Sequence, residues 1–209
     1  MKTPSSHDHL LTMVSRYYTA ALDRHGPTAR GVDWNSEASQ HLRFDQLAKV
    51  WEGQAEISLI DYGCGYGALV PYLRNRGVAF RYAGFDISST MVDAARQLHE
   101  GPDVAFFTES ASLPAADYAV ASGIFNVKLD APEDEWLQYV LDTIEDLARV
   151  ASKGFAFNIL SRYSDPERRR PDLFYADPLF FFGHCKTRYA GAALLHDYPL
   201  YEFTMLVRK

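Results

Sequence analysis

The chain has 209 residues, 47% of them hydrophobic and 23% charged, enough to build a sizeable core and to exclude a disordered chain. A formal net charge of −6 at pH 7 argues against general nucleic-acid binding, although a local basic patch would escape that count. Two cysteines, Cys64 and Cys185, are too few for a disulfide framework or a metal cluster, and no stretch has the apolar length of a membrane span or a signal-peptide core, so free thiols and a cytoplasmic protein are expected.

Two helices come first. Ser5-Ser6-His7-Asp8 offers a capped start, after which Leu10, Val14, Tyr17 and Ala21 recur at helical spacing until Gly26. The loop GPTARGVDWN leads to a second helix over about 36–51, with Leu42, Phe44, Leu47 and Val50 among its apolar positions. No strand precedes either helix, so residues 1–53 are expected to form a helical cap and 54–209 one compact sheet domain.

From residue 57 the pattern alternates. Strands are expected over 57–61, 80–86, 104–108, 118–122 and 154–160, and helices over 66–76, 88–100, 132–150 and 178–186. Two further β-like runs, 190–195 and 202–208, are joined by a segment too short for a crossover helix and must pair antiparallel. The expected fold is α/β: a doubly wound, seven-stranded, mostly parallel sheet that ends in an antiparallel hairpin.

The stretch Leu-Ile-Asp61-Tyr-Gly63-Cys64-Gly65-Tyr-Gly67 asks for a backbone that turns tightly or lets a ligand come close. Taken alone, Gly63-x-Gly65-x-x-Ala68 fits the dinucleotide fingerprint, and Asp86 at the end of the second strand could accept hydrogen bonds from ribose hydroxyls. Three features point away from a dinucleotide. Asp61 would repel a pyrophosphate but suits a cofactor with a cationic end. The C-terminal hairpin leaves no second nucleotide-binding half, and the cap precedes the sheet.

The stretch from Asp61 to Gly67 resembles the cofactor loop of the class I S-adenosylmethionine-dependent methyltransferases. The similarity continues through GFDISSTMVDAAR, with Asp86 where that family places its ribose-binding acid, and through FTESASLP, where Glu109 stands at the place of an acid that contacts adenine. Ser110 or the Glu109 backbone is the alternative for that contact. DYAVASGIFNV resembles strand four and the loop facing the reacting methyl, and GVDWNSEASQHLRF resembles the cap of a bacterial branch. The resemblance implies the Rossmann-like fold, S-adenosyl-L-methionine as cofactor, and a binding set of Asp61, Gly63, Cys64, Gly65, Asp86, Ile87, Met91, Glu109, Ser110, Ser122 and Gly123, joined from the cap by Tyr17 and Arg43.

Methyl transfer from a sulfonium is an in-line displacement of an already activated group, so alignment is the main requirement, and a base is needed only where the nucleophile must lose a proton. Asn126, after strand four, could orient an amine or hydroxyl; His196, His184 and Tyr163 are candidate bases or pocket walls. Tyr17 and Tyr18 could close over the cofactor or simply pack, and Arg43 could hold a carboxylate or form an ion pair. No metal-ligand cluster is evident. Ser-Gly-Ile-Phe-Asn126 departs from the Asn/Asp-Pro-Pro-aromatic signature of nucleic-acid amino methyltransferases, and the basic run Arg168-Arg169-Arg170 has local acids to pair with. A small-molecule acceptor is therefore expected. The alternatives are methylation of tRNA or protein, and a binding protein without activity.

Overall fold

The computed structural model describes residues 7–99 and 101–209. Among them are strands β1 (Glu56–Tyr62), β2 (Ala79–Phe85), β3 (Val104–Phe107), β4 (Ala116–Ala121), β5 (Ala151–Leu160), β6 (Gly191–Leu195) and β7 (Glu202–Arg208). They make one sheet in the order β3-β2-β1-β4-β5-β7-β6. Strands β1 to β5 run parallel, and β7 lies antiparallel between β5 and β6, as the short link between the last two runs requires. The strand order reverses between β1 and β4, which opens a crevice beyond their carboxyl ends.

The helices are α1 (Asp8–His25), α2 (Glu37–Ala48), α3 (Leu69–Asn75), α4 (Ser89–His99), α5 (Glu133–Val150) and α6 (Pro178–Arg188). The proposed cap residues Ser5 and Ser6, and Glu100 at the end of the fourth helix, lie outside the described residues. The second helix stops at Ala48 and continues as a 3₁₀ turn through Trp51. The helix expected from residue 66 begins only at Leu69, because Gly63, Gly65 and Gly67 all have positive φ and keep the chain in a loop until then.

Alternation along the strands sorts side chains into two cores, one on each face. Phe155, Phe157 and Ile159 of β5, with Phe203, Met205 and Val207 of β7, pack against α1, α5 and α6; Tyr118 and Val120 of β4, Ala156 and Leu206 pack against α2, α3 and α4. Each fully buried Phe or Ile contributes about 1.5–3 kcal/mol. Between β3 and β4 the chain makes only a 3₁₀ turn, Ser110–Ser112. Helix α1 lies on that face instead: its Leu10 and Val14 join the core of Ile60, Ala83 and Phe85. The two N-terminal helices thus reach opposite faces of the sheet and bracket its carboxyl edge. Among the described residues no helix is long and apolar enough to cross a membrane.

Candidate functional site

The loop after β1 is pinned to the end of β2. The amides of Gly63 and Cys64 both donate to the Phe85 carbonyl, at 2.7 and 2.9 Å. The Asp86 carboxylate accepts from the Gly65 amide through one oxygen and from the Ser88 amide through the other, both at 2.9 Å. Each oxygen keeps acceptor capacity for a further donor. Burial raises the Asp86 carboxyl above its ordinary value while these two bonds oppose the rise. Glycine is required here twice over: Gly63 has φ +81°, and a Cβ on it would lie 2.1 Å from Ile124 Cγ2.

Asp61, the last acid of β1, is 3% exposed and accepts a 2.7 Å hydrogen bond from the Tyr82 hydroxyl on β2. Burial pushes its carboxyl up to about 7; the Tyr82 bond works against that shift and the charge of Asp86 adds to it. A carboxylate poised in this way has a use for a nearby cation, which would restore its ionised form.

These groups open on a cavity of about 530 Å³. Its floor carries ten residues of the expected cofactor set: Asp61, Gly63, Cys64, Gly65, Asp86, Ile87, Met91, Ser110, Ser122 and Gly123. Its roof is the N-terminal segment, with Val14 and Tyr18 of α1, Val32 and Trp34 of the connecting loop, and Gln40 and Phe44 of α2. Among the described residues the Ser122 hydroxyl, buried in this wall, has no hydrogen-bond partner, the condition in which a bound polar group gains most.

Seven sequence candidates lie outside the lining. Glu109 precedes the 3₁₀ turn while its neighbour Ser110 faces the cavity. The Tyr17 hydroxyl donates to Asp33 at 2.9 Å, and it is Tyr18 that faces inward. Arg43 is buried in an ion pair with Glu202. Asn126 accepts from the Leu160 amide at 3.0 Å and so ties the loop after β4 to the end of β5. His196 Nε2 is 2.8 Å from Ser161 Oγ, and Tyr163 is 65% exposed beside it. His184 is packed near Glu145, likewise away from the cavity.

The sequence reading missed one wall. Tyr139, Asp142, Thr143 and Asp146 line the cavity from α5, and Tyr62 reaches the same wall from β1, its hydroxyl donating to Asp146 at 3.3 Å. Their spacing of three and four residues is the available signal, but such a polar stripe reads as a solvent-facing face until α1 is known to cover it. Burial pushes the Tyr139 hydroxyl up to about 12, so it stays protonated as a neutral donor.

Comparison with known proteins agrees with this geometry. Residues 59–151 match the methyltransferase domain family. The putative methyltransferase Rv1506c of Mycobacterium tuberculosis is 50% identical over 154 residues, which cover 73% of this chain and 93% of that protein. Magnesium protoporphyrin IX methyltransferase (ChlM) from Synechocystis PCC 6803 with bound SAM superposes with a TM-score of 0.63 at 18% identity, over 99% of this chain and 100% of that one. The DhpI-SAM-HEP complex gives 0.66 at 15% identity, again over 99% and 100%. The 1,6-didemethyltoxoflavin-N1-methyltransferase of Burkholderia thailandensis gives 0.63 at 16%, over 100% and 92%. With its glycine loop pinned by Asp86, its buried Asp61 and its antiparallel final strand, the chain belongs to the class I S-adenosylmethionine-dependent methyltransferases.

Proposed function

We propose that the protein methylates a small-molecule acceptor inside the cavity that its N-terminal segment roofs over. The observation carrying this reading is the cover that the N-terminal segment provides: Tyr18, Trp34 and Phe44 line the 530 Å³ space together with the glycine loop, and a small acceptor is the ligand such a partly covered space suits. The solved relatives include proteins named for magnesium protoporphyrin IX and for 1,6-didemethyltoxoflavin, both small molecules. The two cysteines, free and buried, fit a reducing cytoplasm.

S-adenosylmethionine supplies a methyl group already activated on a sulfonium. The chain's own residues bind and orient it. Asp86, with an acceptor site free on each oxygen, would hold the ribose; Asp61 would face the ammonium of the methionine end; Ser110 would meet the adenine. Residues 1–53 act as the cap that excludes water and aligns the acceptor, an effect worth several kcal/mol. Asn126, through the Leu160 amide, and His196, through Ser161, brace the chain beyond β4 and β5, with Tyr163 beside His196.

Titration calorimetry with S-adenosylmethionine and S-adenosylhomocysteine, followed by transfer of a labelled methyl group to a small-molecule extract, tests the proposal. Binding of both cofactor forms with label in a low-mass product is expected. Label found only in protein or RNA would overturn the small-molecule assignment.

A further inference from the structure

We propose that Trp34 sets the boundary of the cavity at the end of β4, and that the buried Arg43–Glu202 pair positions it by tying the cap to strand β7. The indole reaches a place that a glycine leaves open. Gly123 follows β4 with φ +73°, its amide donates to Asn158 Oδ1 at 2.7 Å, and a Cβ on it would lie 2.2 Å from Trp34 Cη2 and 2.3 Å from Cζ2. Cap loop and sheet edge therefore meet through one aromatic edge and one bare backbone.

The backbone around Trp34 is fixed locally. Its amide donates to the Ala29 carbonyl at 2.8 Å, Asp33 before it is left-handed, and a Ser36–Ser39 capping box starts α2 two residues later. What remains is the orientation of the ring, and Arg43 determines it. The guanidinium carbon lies 3.8 Å from the indole centroid, within cation–π range. The guanidinium is itself held on two sides. Nε donates to both Glu202 oxygens at 3.0 and 2.9 Å and Nη2 adds a third bond, while Nη1 donates to the Ser39 carbonyl at 2.8 Å.

The side chains of Arg43 and Glu202 are 8% and 1% exposed. A buried ion pair gains little stability over an apolar pair of the same size, and its attested benefit is to fix one geometry. Glu202 is available at this edge because β7 runs antiparallel. Its first residue lies opposite Leu160, the last of β5, on the side where the parallel strands end and ligands bind. The ion pair joins cap and hairpin at that edge, and the indole forms the cavity wall there.

The effect on cofactor rests on the methyltransferase reading, whereas the orientation of the ring does not. The experiment is a double-mutant cycle of Glu202→Gln and Trp34→Ala, read by S-adenosylhomocysteine calorimetry and by the Trp34 emission, taken as wild type minus Trp34→Phe. Each single variant is expected to weaken binding about tenfold, the double variant no more than either, and Glu202→Gln to shift the Trp34 emission to the red. Additive losses, or Glu202→Gln with unchanged affinity and emission, would overturn the proposal. If Glu202→Gln does not fold, Arg43→Lys keeps the charge and removes the planar fork, and the same shift is expected. If the wild type fails to bind S-adenosylhomocysteine the cofactor reading falls, and the emission alone decides on the positioning role.

Discussion

Asp61 is expected to make the cofactor-free protein less stable and the bound protein possible, and replacing it with Asn separates the two effects. Its carboxyl is raised by burial from the ordinary 3.8 to about 7, a shift that corresponds to about 4 kcal/mol between protonation states. Between about pH 4 and 7 the folded protein holds a proton that the unfolded chain has lost. Stability therefore declines as pH rises through this window, and the full cost is present above it. Asp61→Asn removes a buried charge that accepts the Tyr82 hydroxyl. At pH 8 the variant is expected to gain up to about 4 kcal/mol, or about 10 °C in melting temperature for a chain of this size, and the gain should shrink to about 1–2 kcal/mol at pH 5. Binding runs the other way: wild-type affinity for S-adenosylhomocysteine should fall as pH drops below about 7, while that of the variant is weak and flat with pH. Thermal melts and calorimetry over pH 5–8.5 read both. A variant no more stable than wild type at pH 8, or equally stabilised at pH 5 and pH 8, would refute the reasoning.

Three other perturbations have defined outcomes. Tyr82→Phe removes the hydrogen bond that favours ionised Asp61, so the midpoint of the pH dependence of binding should move upward; a downward move contradicts the assigned bond. Gly123→Ala places a methyl 2.2 Å from the Trp34 ring at a left-handed backbone position; about 1–3 kcal/mol of stability and at least tenfold in cofactor affinity should be lost, as measured by melting and calorimetry. Asp86→Ala frees the Gly65 and Ser88 amides and deletes the proposed ribose acceptor, so affinity should drop about a hundredfold with about 1–3 kcal/mol of stability, and unchanged binding would remove Asp86 from the site.

Much of this was legible along the chain because it depends on local chemistry. Period-two alternation in 154–160 marks β5, and a link too short for a crossover forces β6 and β7 to pair antiparallel. The clustered glycines at 63, 65 and 67 announce a loop that only glycine can adopt, and the acids at 61 and 86 fall at strand ends by strand length alone. Contacts made by elements far apart in sequence were decided only by the tertiary structure. Arg43 reads equally as a ligand for a carboxylate or as half of an ion pair because nothing in its neighbourhood names Glu202, 159 positions away. The stripe Tyr139-Thr143-Asp146 reads as solvent-facing because the place of a helix between β3 and β4 is taken by α1, from the N-terminal part of the chain. His196 and Asn126 carry suggestive chemistry, and only the folded chain shows His196 Nε2 beside Ser161 and Asn126 Oδ1 on the Leu160 amide, outside the cavity lining. The sequence by itself determined the backbone cradle and its charge, since dihedral freedom and strand ends are local properties. The roof, and the side chains that hold it in place, were settled by which faces the sheet left to be covered.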